Sequence, residues 1–458
     1  SSERAYEQAR VMGGGSSINV QAANRGLPRD YDAWRDLGAE GWSWQDVLPY
    51  FRRLENDLDV AGPLHGQEGP IPIRRILPES WPAFAEAVAT ALDATGLPRR
   101  FDQNGEFEDG IFPPAFSNQN DRRVSTAAGY LDGPTRARPN LEIMSEGTVT
   151  DLVIAGDRTE RVIIRRRDGA RRSVTVAGRV ILAAGALQSP AILMRSGIGP
   201  GDHLRDLGIE PVKDRPGVGR NLRDHPALTF SQVLPGRLRL ARDFRRSSLV
   251  ALRYSSGLPG GTASDMYMTS SARAGWHALG SMLALHFLWV NQPHSVGSLK
   301  LASPAPETPP LVDLNLLADE RDLTRLADGV RRLARLLVNP AVNANADDLF
   351  PAAYTPRIRK LSAVSELNRF ATAFLARALD VPAPLRGFIL KTFLLRGVSL
   401  QDTLRDEGLL RDFVHRNVFG VWHPSGTCRM GRPNDPLAVV DADGRGIGTE
   451  NLFVGDAA

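Results

Sequence analysis

The run Val180-Ile181-Leu182-Ala183-Ala184 constrains the fold most, because five apolar residues without polar alternation predict a strand covered on both faces. Such strands belong to parallel sheets with helices on either side. The run ends at Gly185. Ser189-Pro190 then read as the N-cap and first residue of a helix that Gly197 closes. Strand, small-residue turn and helix in this order suit a doubly wound nucleotide-binding domain, although any βαβ unit would present the same piece. Val149 to Ile154, Val162 to Arg166 and Val174 to Val176 are short β-rich runs just upstream, with Asp168-Gly169 as a hairpin turn.

Two other segments carry residues suited to chemistry. Near the start, Ala9-Arg10-Val11-Met12-Gly13-Gly14-Gly15-Ser16-Ser17-Ile18-Asn19 combines consecutive glycines, which allow positive φ and close approach of a ligand, with hydroxyl and amide donors. A Gly/Ser run can also be a flexible linker. The flanking Val11, Met12, Ile18 and Val20 point instead to a cofactor cradle. Near the other end, His423-Pro424-Ser425-Gly426-Thr427-Cys428-Arg429-Met430-Gly431 sets a histidine in a Pro/Gly turn, and Asn451 to Ala458 reads as a buried strand running into Asp456. A neutral imidazole, with an ordinary pKa near ~6.5, accepts a proton readily at neutral pH. On the residues alone, His423 is either such a base or a buried histidine satisfied by a backbone carbonyl. Trp422 beside it is either a pocket wall or core.

Together with Gly185 to Gly199, these segments resemble the glucose-methanol-choline (GMC) family of FAD-dependent oxidoreductases, from one end of the chain to the other and in the family's order. Asn24 to Trp34, Gly41-Trp42-Ser43-Trp44 and Val47 to Phe51 are most similar to its 5-(hydroxymethyl)furfural oxidase branch. The resemblance implies an α/β fold, a Rossmann-like FAD-binding domain interleaved with a substrate domain of antiparallel sheet backed by helices. Residues 1–60, 136–225 and 415–458 would form the former, 61–135 a lid and substrate-domain segment, and 226–414 the substrate-binding domain. The implied activity is oxidation of a primary alcohol, aryl or furan-type, to the aldehyde, with His423 removing the proton and FAD taking the hydride. Oxygen or a quinone-like acceptor would then receive the electrons. Choline-type or other alcohol dehydrogenation, hydroxynitrile-lyase-like cleavage without net redox, and a non-catalytic remnant are the alternatives on the same fold.

By the same resemblance, Met12, Gly13, Gly14, Gly15, Ser16, Ser17 and Asn19 lie along the flavin and pyrophosphate. Val149 meets the adenine, Asp456 with Ala457 holds the ribityl and phosphate end, and Trp422 contacts substrate. Ile18 stands where some relatives attach flavin to a histidine, so FAD is expected to be noncovalent. Family members carry a G-x-G-x-x-G ahead of the Gly13 motif and a further catalytic residue after the last strand. This sequence has neither, so both ends are expected to be missing.

The remaining features narrow the classes. A length of 458 residues suits two interleaved domains, and a net charge of +4 from 56 basic and 52 acidic side chains argues against a nucleic-acid partner. One cysteine, Cys428, excludes an intrachain disulfide and fits a reducing, cytoplasmic setting, where it would be a small buried hydrophobe. No apolar run approaches the ~18 residues that span a bilayer. No G-x-S-x-G or H-E-x-x-H is present, and no metal site is expected. Asp30 to Leu54 and Trp81 to Ala94 are helical in pattern, Phe101 to Phe116 is irregular, and Asp319 to Val338 is a long amphipathic helix. Phe287 to Val290 and Ser298 to Leu301 suggest strands. His65 reads as an ordinary loop histidine, His225 as structural, and His294 as a turn hydrogen-bonder.

Overall fold

Strict alternation builds the largest element. In Leu283–Val290 every second residue is buried, and this strand sits inside a seven-stranded sheet. The strands run in the order Leu349–Pro351, Pro226–Val233, Leu283–Val290, Met266–Ser271, Ser248–Tyr254 and Gly110–Phe112, with Phe419–Gly420 pairing against the start of Pro226–Val233. Every pairing is antiparallel. The helices Ala83–Asp93 and Glu320–Leu337 share its hydrophobic core. The longer one buries Leu323, Leu326, Val330, Leu333 and Leu337 at three- and four-residue spacing, and each such side chain stabilises the fold by about 1.5–3 kcal/mol. Its Gly329 lets the backbone press onto the sheet, since a Cβ there would lie 2.8 Å from Leu288. At the helix start, Asp322 accepts hydrogen bonds from the backbone N–H groups of His294 (3.0 Å) and Ser295 (2.7 Å), and His294 Nε2 contacts the Gly260 carbonyl at 2.9 Å. His294 is therefore a turn hydrogen-bonder, as its setting predicted.

The computed structural model describes residues 3–241, 243–342, 349–352, 356–390 and 400–458. The parts of the expected 226–414 segment at 242, 343–348, 353–355 and 391–399 lie outside the described residues. No helix among the described residues is long and apolar enough to cross a membrane.

A second core gathers residues 152–222, 299–301 and 428–452 around the parallel pair Val180–Leu182 and Leu452–Val454. Val180 and Leu182 are buried, but Ile181 is 64% exposed. The expected two-sided burial is thus corrected: the core lies on one side of this pair, against Leu187, Ile192 and Leu193. The antiparallel strands Gly147–Ala155, Arg158–Arg166 and Arg171–Thr175 form a meander where the β-rich runs predicted it. Helix Ser189–Arg195 begins one residue earlier than expected, with Gln188 at the cap position. Ser189 does not cap because its hydroxyl accepts from the Ala184 N–H (3.0 Å) and donates to Asp456 (2.6 Å). Gly197, at φ 82°, closes the helix as predicted.

The amphipathic region at 30–54 resolves into two helices, Pro28–Asp36 and Trp44–Leu54, joined by an aromatic cluster of Tyr31, Trp44 and Phe51. The irregular stretch 101–116 contributes Gly110–Phe112 as an edge strand, three residues being too few to show alternation. His65 departs most from expectation. It is only 4% exposed, with Nε2 2.8 Å from Asp102 and Nδ1 3.1 Å from both Glu55 and Asp57. Arg75 donates to Asp57 (2.8 Å) and Asp102 (2.7 Å), and Arg25 pairs with Glu55. Glu55, Asp57 and His65 lie close enough to hold a cation, but the two arginines already occupy the carboxylates. Three carboxylates balance two guanidiniums and one imidazolium, so the cage is neutral when His65 is protonated. Burial opposes that charge, yet the hydrogen bonds to Asp102, Asp57 and Glu55 outweigh it and raise the His65 pKa to about 10.

This raised value gives a stability signature. His65→Gln is expected to cost about 3–5 kcal/mol by urea unfolding at pH 6, because it leaves buried carboxylates short of a cation. The wild-type advantage is fully present below the unfolded imidazole's pKa near ~6.5 and is lost as pH rises through about 10. A difference between the two proteins that stays constant from pH 6 to 10 would contradict the cage.

Candidate active site

Three segments that stand apart in sequence, the turn after Val180–Leu182, the His423 loop and the end of the Leu452–Val454 strand, meet around one loop. Thr427, fully buried, donates its hydroxyl to the Ala186 carbonyl at 2.6 Å, and the Gly426 N–H donates to the Ala457 carbonyl at 2.8 Å. Asp456 in turn accepts from the Gly185 N–H (2.7 Å), the Ser189 hydroxyl and the Ala458 N–H (2.8 Å). Its side chain thereby fixes the Gly185 turn, a role the residue pattern did not suggest. On its other flank the loop is tied to residues 219–223. Ser425 and Arg223 exchange backbone hydrogen bonds of 2.9 Å, and the Gly219 N–H donates to the Thr427 carbonyl. Gly426 has φ 82°, and a Cβ on it would lie 2.7 Å from Asn221.

The Gly13 motif forms a short 3₁₀ turn, Gly14–Ser17, entered through Gly13 at φ 86° and Gly14 at φ 53°. Its serines are turned inward. Ser16 donates to the Gly13 carbonyl at 2.5 Å and accepts from the Thr126 N–H at 3.0 Å, while Ser17 donates to the Met12 carbonyl at 2.6 Å. Arg123 holds the Ser16 carbonyl and the Asn19 side chain at 2.9 and 2.7 Å. Arg10 donates to Thr148 at 2.7 Å, which brings the motif alongside half-buried Val149. Val11, Met12, Ile18 and Val20 are exposed, and no atom lies within 4 Å of where a Cβ would sit on Gly14, Gly15 or Gly185. An apolar strip bordered by unobstructed glycine backbone is a surface that a flat ring system and its phosphates can lie against, so these residues fit FAD. Among the described residues no hydrogen bond joins this turn to the 423–427 loop. The link runs through residues 4–7, where Arg4 donates to the Arg416 carbonyl at 2.8 Å and Tyr6 and Glu7 reach Asp224 and Trp422.

His423 is exposed on one side and crowded on the others. Its ring meets that of His225 edge-to-face, centroids 5.4 Å apart at 89°. His225 donates from Nδ1 to the Val290 carbonyl at 3.0 Å, and burial together with repulsion from His423 lowers its pKa to about 4, so it is neutral. Burial also lowers the His423 pKa, against the opposing pull of Asp224. A neutral, accessible imidazole with a carboxylate beside it can take a proton and be stabilised once it has. Trp422, at φ 63°, donates from its indole to Glu7 at 3.1 Å and stands between Tyr6 and Phe419. Cys428 is 1% exposed in the second core, and burial pushes its thiol pKa up, so it is no nucleophile. Sequence reasoning missed Asp224 and Tyr6. Asp224 carried a signal, standing directly before His225; Tyr6 carried none.

Because Gly426 needs positive φ and space against Asn221, Gly426→Ala is expected to destabilise the protein by about 1–3 kcal/mol in urea unfolding. An unchanged midpoint would contradict the packing described.

Comparison with known proteins agrees with this architecture. GMC oxidoreductase family models match residues 2–227 at the N-terminal side and 293–458 at the C-terminal side. The chain is 43% identical over 458 residues to a 5-(hydroxymethyl)furfural oxidase of Methylovorus sp. (strain MP688), covering 99% of this chain and 78% of that protein. It is 31% identical to an oxygen-dependent choline dehydrogenase of Brucella anthropi, with coverage of 98% and 77%. Among solved structures, pyridoxine 4-oxidase from Mesorbium loti superposes with a TM-score of 0.77 at 26% identity, covering 98% of this chain and 79% of that one. The chain therefore belongs to the GMC oxidoreductase family, whose members oxidise alcohols with FAD.

Proposed function

We propose that this protein oxidises a primary alcohol borne on an aromatic or furan ring to the aldehyde, with His423 as the base that removes the hydroxyl proton. The observation that carries this reading is the His423 loop itself. An accessible imidazole sits on a loop whose Thr427 and Gly426 hydrogen-bond to the Ala186 turn and to Ala457, beside the unobstructed Gly185. The 43% identical 5-(hydroxymethyl)furfural oxidase supports a ring-borne alcohol. FAD, when bound, supplies the acceptor for the substrate hydride.

The residues divide the work. Met12, Gly13, Gly14, Gly15 and Asn19 would hold the cofactor along the exposed strip, with Val149 near its adenine and the backbone of Asp456 and Ala457 near its ribityl and phosphate end. Ser16 and Ser17 shape the turn through their inward hydroxyls. Trp422 would wall the substrate beside His423. Segments 1–60, 136–225 and 415–458 would serve the cofactor, and 61–135 with 226–414 the substrate. Ile18 offers no nucleophile, so the cofactor is held noncovalently, and acid precipitation is expected to leave all flavin in the supernatant. Dioxygen is the proposed terminal acceptor, supported by the oxidase and oxygen-dependent relatives.

The test is anaerobic titration of the flavin-loaded enzyme with 5-(hydroxymethyl)furfural or a benzylic alcohol. Bleaching of the flavin spectrum is expected, followed by recovery and peroxide on admitting air; turnover without bleaching would instead indicate the lyase chemistry. His423→Asn is expected to reduce the bleaching rate by about 10²–10⁴-fold. The acidic limb of kcat/KM is expected below the ordinary imidazole value near ~6.5, since burial lowers the His423 pKa and activity is lost as that ring becomes protonated.

A further inference from the structure

Asp224 is nine-tenths or more buried, and among the described residues its carboxylate accepts from three donors. Oδ1 accepts from the backbone N–H of His225 at 2.8 Å and from that of His423 at 3.2 Å, while Oδ2 accepts from the Tyr6 hydroxyl at 2.7 Å. Burial raises the Asp224 pKa, while these hydrogen bonds and the charge of a protonated His423 oppose that rise and favour the anion. Gly420 lies against it so closely that a Cβ there would sit 2.1 Å from Oδ2. The site is thus built around one small carboxylate.

We infer that Asp224 is a positioning residue for the reaction: its carboxylate fixes the backbone of His423 and supplies the negative charge that balances the imidazole once it holds the substrate proton. This inference rests on His423 being the base. The other groups facing the pair do not compete for the role. Tyr6 is kept a neutral phenol by burial and by Asp224 itself, and His225 is kept neutral by burial, with its Nδ1–H committed to the Val290 carbonyl. Glu7 contacts the Trp422 indole and Arg359. The two adjacent histidines are therefore unlike. His423 has a carboxylate to receive its positive charge; His225 has a carbonyl that fixes one tautomer.

Asp224→Asn separates holding from charge, because the amide oxygen still accepts both backbone N–H groups. In the flavin-loaded enzyme, kcat is expected to fall at least about tenfold with KM changed less than about threefold, and the acidic limb of kcat/KM to move to lower pH, since loss of the anion lowers the His423 pKa. The same downward shift is expected in the His423 resonance of the ¹³C-histidine-labelled protein, assigned by its loss in His423→Asn. If Asp224→Asn does not fold, Tyr6→Phe serves, since it removes the hydrogen bond that shields Oδ2 and is expected to move both quantities to higher pH. A reduced rate with neither the limb nor the resonance displaced means a purely structural carboxylate and overturns the inference. Should His423→Asn retain wild-type bleaching rates, the underlying reading of His423 fails instead, and the inference with it.

Discussion

The candidate site depends on hydrogen bonds, all to or from backbone groups and one of them from the Thr427 hydroxyl, that clamp residues 425–427 between two distant parts of the chain. One jaw is the 219–223 segment, paired through Arg223 and Gly219; the other is the small-residue turn at 185–186 together with Ala457. Such bonds are directional, and each has a donor and an acceptor fixed by elements already anchored in a core. A histidine at the mouth of this clamp has little freedom to drift. That is what a base needs if it is to meet a substrate proton at hydrogen-bond distance.

The large-scale architecture was legible because its signals are periodic. An apolar, aromatic run marked the central strand around Phe287 to Val290, amphipathic spacing gave the helix from Asp319, and a hairpin dipeptide gave the meander near 168. The glycine triplet and the Pro/Gly-framed histidine also stood out in the sequence, since such patterns are uncommon. What escaped was non-local. The burial of His65 depends on Asp57, Asp102, Arg25 and Arg75, which no spacing rule connects. Asp224 acquires its meaning only when Tyr6, 218 residues away, folds onto it. Ile181 reads as core by composition and lies exposed because it points to the face opposite Val180 and Leu182, against which the core packs.

Buried charge is handled in two ways in this molecule. Around His65 opposite charges neutralise one another, and at the sheet–helix interface the buried Arg325 guanidinium bridges two carboxylates, Asp265 and Asp322, joining elements of different layers. Around His423 the balance is left open, with one carboxylate serving a ring that is neutral at rest. Closed clusters hold geometry, whereas an open one can respond to a proton.

The contacts made by residues 4–7 bear on how the chain is assembled. Arg4 reaches the carbonyls at 416 and 418, and Glu7 reaches Trp422, partners separated by more than 410 positions along the polypeptide. At synthesis rates of about 5–20 residues per second, these early residues leave the ribosome roughly 20–90 s before their partners exist. The strip of Val11, Met12, Ile18 and Val20 follows directly on these residues and is exposed in the folded chain, so its surroundings are completed only after residues 416–422 have been made.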